Sequence, residues 1–155
     1  MPPGPLFALP ALEYVSSAVV ELGEPLDVGE TLEGRRRVVP ITGGKFDGPG
    51  LAGRIRPVGA DWQRILPDGT TPVEARYLVE TGEGLVSITS TGVRTGPPEV
   101  LAALARGEHV DRSRYEFRLT VTVSGAVERR LSAGVLVASA ERTPDTVRYD
   151  LYRLT

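Results

Sequence analysis

Gly34-Arg35-Arg36-Arg37-Val38-Val39-Pro40-Ile41-Thr42-Gly43-Gly44-Lys45-Phe46-Asp47-Gly48 is the stretch on which the fold turns. A basic, β-branched run of strand character meets a glycine pair and then an aromatic residue. Paired glycines permit positive φ or a close approach to the main chain. Gly43, Gly44 and Gly48 therefore mark either a sharp strand corner or a point where a ligand touches the backbone. On the second alternative Gly43, Gly44 and Phe46 are candidate substrate-binding residues.

Working outward, a proline-rich arm over residues 1–11 precedes Glu13 to Leu22, a β-branched run closed by Gly23 and Pro25 that reads as a strand. Short strands are expected at Leu51 to Ile55 and Trp62 to Leu66, bounded by Gly, Pro and the Pro67-Asp68-Gly69 turn. Pro72 to Thr81 and Leu85 to Val93 flank Gly82-Glu83-Gly84 as a hairpin. One helix of about two turns is expected after Pro97-Pro98-Glu99, with Gly107 suited to its end. Strands resume at Tyr115 to Ser124, Glu128 to Ala138 and Thr146 to Leu154. The pattern is all-β: about nine or ten antiparallel strands and one short helix over residues 12–155, a barrel or a sandwich.

The chain has 155 residues, 41% hydrophobic and 25% charged, which fits a single folded domain. A net charge of −2 offers no broad basic surface for nucleic acid. There is no cysteine and one histidine, His109, so thiolate chemistry and multi-histidine metal centres are excluded. No metal and no cofactor are expected. No run approaches ~20 apolar residues and the N-terminus is unlike a signal peptide, so the expectation is a cytoplasmic protein without a membrane partner. A homo-oligomer formed through the arm or the barrel exterior stays open.

Candidate chemistry follows the strand alternation. From Tyr115 onward one row carries Tyr115, Phe117, Leu119, Val121 and Val123, and this apolar face is expected inside. Tyr115 and Phe117 are thus candidate substrate contacts. Arg118 is another candidate on the opposite row, where a solvated ion pair with Glu116 is the alternative. Tyr77 is the polar tip of the row Val73, Ala75, Tyr77 and Val79, able to donate to a substrate carbonyl or to a nearby main-chain carbonyl. Arg94, beside the expected helix, is placed to fix a carboxylate or carbonyl at a barrel mouth, or to cap surface carbonyls. Asp61-Trp62 sets a possible base beside a flat aromatic platform, unless Trp62 is core.

Gly59-Ala60-Asp61-Trp62-Gln63, Pro67-Asp68-Gly69-Thr70, Ala75-Arg76-Tyr77, Gly92-Val93-Arg94, Gly96-Pro97-Pro98-Glu99-Val100-Leu101 and Tyr115-Glu116-Phe117-Arg118 together resemble the family of domain of unknown function 3237. The likeness runs from about Leu12 to the C-terminus. It implies a small single-domain β-barrel with a pocket, and no assigned reaction. Ser90 stands where many relatives carry asparagine, and Val127 to Ser132 replaces an aromatic and asparagine segment, which implies a reshaped pocket and a specialised substrate.

These observations lead to a small-molecule-binding barrel, a cofactor-independent isomerase, cyclase or lyase for a largely apolar, natural-product-like substrate. Tyr77, Arg94 and Asp61 are the candidate catalytic residues. The alternative is a non-catalytic carrier or sensor using the same cavity.

Overall fold

The computed structural model describes all 155 residues. Its strands are β1 (Leu12–Leu22), β2 (Leu26–Thr31), β3 (Gly34–Asp47), β4 (Gly53–Ile65), β5 (Thr71–Thr81), β6 (Gly84–Thr95), β7 (Glu116–Gly125), β8 (Leu136–Arg142) and β9 (Thr146–Leu154). Two helices, α1 (Pro98–Ala105) and the single turn α2 (Arg129–Ser132), interrupt them. The strand order is β1-β9-β8-β7-β6-β5-β4-β3-β2, all antiparallel, and β1 also bonds to β3. That extra pairing closes eight strands into a barrel and leaves β2 outside the ring, so of barrel and sandwich the structure is the barrel.

The opening stretch makes this closure possible. β3 changes neighbour halfway along one edge: Val38 lies opposite Leu26 of β2, and Ile41 opposite Leu22 of β1. Pro40 sits in the gap between those partners, where its missing N–H interrupts no ladder bond, and its carbonyl accepts from Gly23 N at 2.8 Å. Beyond it the chain bends. Gly44 has φ +123°, and a Cβ there would lie 2.0 Å from the Val19 carbonyl oxygen. At Gly44 the close approach is made by the main chain of β1 and at Gly43 by the Glu21 side chain, and both glycines have positive φ, as a strand corner requires.

Three local expectations are corrected. The two segments expected around Ile55 and Trp62 are one strand, β4, whose register against β5 shifts between Ile55 and Gly59. Pro57 and Gly59 look like strand breakers, yet they fall in a bulge where pairing is already interrupted. Strand β2 was not expected because none of its residues is buried, so no period-two signal marks it. The strand expected from Glu128 to Ala138 begins only at Leu136. Before it, Glu128 opens the turn α2, which seats Leu131 in the core at 1% exposure.

Helix α1 forms as its sequence predicts. Pro98 occupies the first turn with Glu99, and Gly107 follows the end at φ +79°. Val100, Leu101 and Leu104 point into the core, so the helix lies across one end of the barrel. The inward rows of the strands fill the rest, while outward rows carry charge, as in the Arg54–Glu80 and Arg56–Glu80 pairs. No helix is long and apolar enough to cross a membrane. Residues 1–10 are exposed and in no regular element. Ala11 and Thr155 exchange two backbone hydrogen bonds, tying the base of the arm to the last residue.

Candidate functional site

Strict alternation along the strands aims a small set of polar side chains inward among apolar neighbours. On β3, Arg37 shares its face with Val39 and Ile41. On β4, Asp61 and Gln63 share theirs with Ile55, and on β6, Ser90 and Arg94 follow Val86 and Ile88. Arg142 ends the row of Ala138 and Ala140 on β8. Arg37, Arg94, Arg142, Asp61 and Gln63 thus gather at the end of the barrel that α1 covers.

Their bonds run from the lid inward. Arg37 Nη1 donates to the Ala105 carbonyl of α1 at 2.9 Å, and its Nε donates to Gln63 Oε1 at 2.6 Å. Gln63 Nε2 donates in turn to Asp61 Oδ2 at 2.7 Å. Arg94 lies 5.4 Å from the centre of the Phe117 ring. Burial pushes the Asp61 carboxyl above the usual carboxylate value, against the pull of the Gln63 hydrogen bond and of the Arg94, Arg142 and Arg37 charges. Burial also lowers the Arg94 guanidinium to about 10. Five buried side-chain polar atoms make no hydrogen bond in the protein, and all five belong to this cluster: Asp61 Oδ1, Arg37 Nη2, Arg94 Nε and Nη1, and Arg142 Nε. Buried polar atoms in native proteins are rarely left so, which singles the cluster out.

Deeper in the barrel, the Tyr77 and Tyr149 hydroxyls bond to each other at 2.6 Å. Phe46 stacks on Tyr77 and meets Tyr149 edge-on, with ring centres 6.4 and 5.9 Å away. Burial holds both phenols protonated well above their usual range. Between the tyrosines and the charged end lies a cavity of about 20 Å³, walled by apolar residues and reached by Asp61, Ser90, Tyr77 and Tyr149.

The structure brings Tyr77, Asp61, Arg94, Phe46, Phe117 and Tyr115 into the interior and puts Trp62 and Arg118 outside it. Tyr115 is buried, but its hydroxyl accepts from Arg142 N at 2.9 Å, so its polar tip serves the main chain. Trp62 is 48% exposed and points away from Asp61, because adjacent residues of a strand face opposite ways. Arg118 lies on the outer surface beside Glu116, the solvated alternative. Trp62 and Arg118 instead line an open outer hollow of about 990 Å³ that holds no buried titratable group. Trp62, Tyr77 and Arg94 do not share one cavity. Arg37, Gln63, Arg142 and Tyr149 escaped the sequence reading, although Arg37, Arg142 and Tyr149 alternate with apolar residues that turn out buried; Gln63 follows only the polar Asp61 on its row and carries no such signal. No group of three or more His, Cys, Asp or Glu side chains is placed to hold a metal.

The fold and the site together define a closed antiparallel β-barrel with buried charge at the end that α1 covers. The chain belongs to the family described as protein of unknown function DUF3237, whose model matches residues 10–154. It is 37% identical over 145 residues to a UPF0311 protein of Bradyrhizobium diazoefficiens, covering 92% of this chain and 95% of that one. Among solved structures, a conserved protein of unknown function from Rhodopseudomonas palustris superposes with a TM-score of 0.91 at 34% identity, covering 96% of this chain and all of that one. A β-barrel-like protein from Acinetobacter baumannii gives 0.81 at 37% identity, covering 99% of both chains. An enzyme from Penicillium herquei shares the fold at a TM-score of 0.63 and 18% identity, over 96% of this chain and 98% of its own.

Proposed function

We propose that the protein is an enzyme that moves a proton within its barrel on a largely apolar, carbonyl-bearing substrate, as the first step of an isomerisation, cyclisation or elimination. The observation that carries this reading is Asp61, a buried carboxyl with one oxygen unbonded, facing an apolar cavity that also holds the Tyr77–Tyr149 hydroxyl pair. The Asp61 carboxylate takes a proton from the carbon beside the carbonyl. The C–H electron pair forms an enolate, whose oxygen accepts a hydrogen bond from the tyrosine pair. Return of the proton at another carbon isomerises the substrate, loss of a β-substituent with its bonding pair completes an elimination, and attack of the enolate on an internal electrophile closes a ring. A carboxyl raised by burial is a better matched base near neutral pH than an ordinary one. The Penicillium herquei enzyme supports the reading at the level of fold alone, as an instance of catalysis in a barrel of this shape.

The cavity of about 20 Å³ has room for about one water molecule. A substrate therefore enters by displacing the cover, and the bond from Arg37 to the Ala105 carbonyl is the latch that such opening breaks. The test uses 2-tetralone in deuterium oxide, with exchange of its α-protons followed by NMR. The wild-type protein is expected to accelerate exchange over buffer, and Asp61→Asn to abolish the acceleration while Tyr77→Phe reduces it about 10²-fold. Binding of the ketone without faster exchange would overturn the catalytic reading and make the barrel a carrier.

A further inference from the structure

Three guanidiniums from three different strands are buried at one end of the barrel: Arg94 at 1% exposure, Arg142 at 4% and Arg37 at 9%. None of them takes part in any ion pair of the molecule. Their one interior counter-charge is Asp61, and it touches none of them directly, since its bonded oxygen is occupied by Gln63. Three cations thus face one carboxyl, and four guanidinium N–H positions among them lack an acceptor: Nη2 of Arg37, Nε and Nη1 of Arg94, and Nε of Arg142. A cluster needed only to hold the fold would satisfy those donors with carbonyls, as Arg142 Nη1 does with the Thr143 carbonyl at 2.6 Å.

We propose that this arginine triad is a binding site for a carboxylate carried by the substrate, which sets the charged end of an otherwise apolar molecule beneath helix α1. A carboxylate supplies acceptors for the unbonded N–H groups in charge-assisted pairs, and the low dielectric of the barrel end strengthens them. The rest of the molecule then points down the barrel axis, toward the apolar cavity where Asp61 and the two tyrosines reach it. The approach is already charged. Arg37 and Arg142 also line a mouth pocket of about 440 Å³ together with Arg106, against the two acidic residues Glu24 and Asp145. That balance favours an anion at the opening and hands it inward to Arg94.

The inference rests on the interior as the substrate site, and its test separates the two claims. Binding of 2-naphthoate, its neutral counterpart 2-naphthamide and inorganic phosphate is measured by calorimetry on the wild-type protein and on Arg94→Met and Arg142→Met, with folding checked by circular dichroism. The expected result is at least tenfold tighter binding of the naphthoate than of the amide. Each variant is expected to lose that preference while keeping its affinity for the amide. Equal affinity for acid and amide, an unchanged preference in both variants, or phosphate binding more tightly than the naphthoate would each overturn the carboxylate assignment. Proton exchange on 2-tetralone, which has no carboxylate, reports on Asp61 separately, so either claim can fail without the other.

Discussion

Replacing Arg94 with methionine is expected to stabilise the protein while removing its anion site. Burial lowers the Arg94 guanidinium from 12.5 to about 10. At ~1.4 kcal/mol for each tenfold change in proton affinity, that fall corresponds to about 3 kcal/mol by which the folded state disfavours the charge. The attraction of Asp61 is already counted in it, because the Asp61 charge acts to raise the value. Methionine fills a similar volume without a charge and keeps contact with the Phe117 ring, forfeiting about 1 kcal/mol of cation–π attraction. Asp61 loses one supporting cation and takes up a proton more readily, which absorbs part of the gain. The balance is a gain of about 1–2 kcal/mol, in line with other buried charges replaced by apolar residues. For a domain of this size that raises Tm by about 2–8 °C. Urea denaturation measures the stability change directly, with an unchanged m-value as the check on two-state unfolding. A loss of more than 1 kcal/mol would refute the reasoning, because it would mean that the guanidinium is well paired in the folded protein.

Gly44→Ala is expected to cost about 3 kcal/mol or more, since its Cβ would meet the Val19 carbonyl oxygen at 2.0 Å and its φ is +123°; a melting temperature within 2 °C of wild type, on a scale of about 2–4 °C per kcal/mol, counts against it. Tyr77→Phe leaves the Tyr149 hydroxyl without its partner and is expected to cost about 1–3 kcal/mol, with the double variant carrying Tyr149→Phe less destabilised than the sum. Additive losses in that cycle would contradict the hydroxyl pair. Asp61 holds its proton above the ordinary 3.8, so its contribution to stability is full below that value and declines as pH rises through its folded value. Chemical denaturation between pH 3 and 8 is expected to show this decline in the wild type and not in Asp61→Asn, and identical profiles would exclude it. Proton exchange catalysed by Asp61 should rise over the same interval.

The fold was legible wherever burial wrote a period into the sequence. β5, β6, β7 and β9 each alternate cleanly, and α1 carries a proline start and a glycine end, so all five were found within a residue or two at most boundaries. β2 has no buried face and left no such mark. The segment around Leu131 failed for the opposite reason: one deeply buried leucine in a helical turn resembles a strand residue when its neighbours are read as alternating. The site was half legible. Tyr77 stands out as the polar member of an apolar row, whereas Asp61 was singled out for its neighbour Trp62, a pairing that ignores the alternation that separates them. Arg37 and Arg142 were hidden by expectation, because arginine is so seldom buried that its place on an inward row was not taken as a signal.

β2 is the one strand bonded along a single side, which makes it the molecule's exposed template for other chains. The residues there act as a guard. Asp27 and Glu30 put exposed charged side chains on this strand, where both pair with Arg35 of β3, and Gly29, at φ +91°, throws the pairing out of step at a bulge between Asp27 and Gly29. Both devices spoil the flat, regular backbone that a foreign strand would need to dock. The same barrel with Asp27→Val, Glu30→Val and a straightened Gly29 would keep its interior intact and become adhesive at this one border, pairing two barrels edge to edge into a dimer.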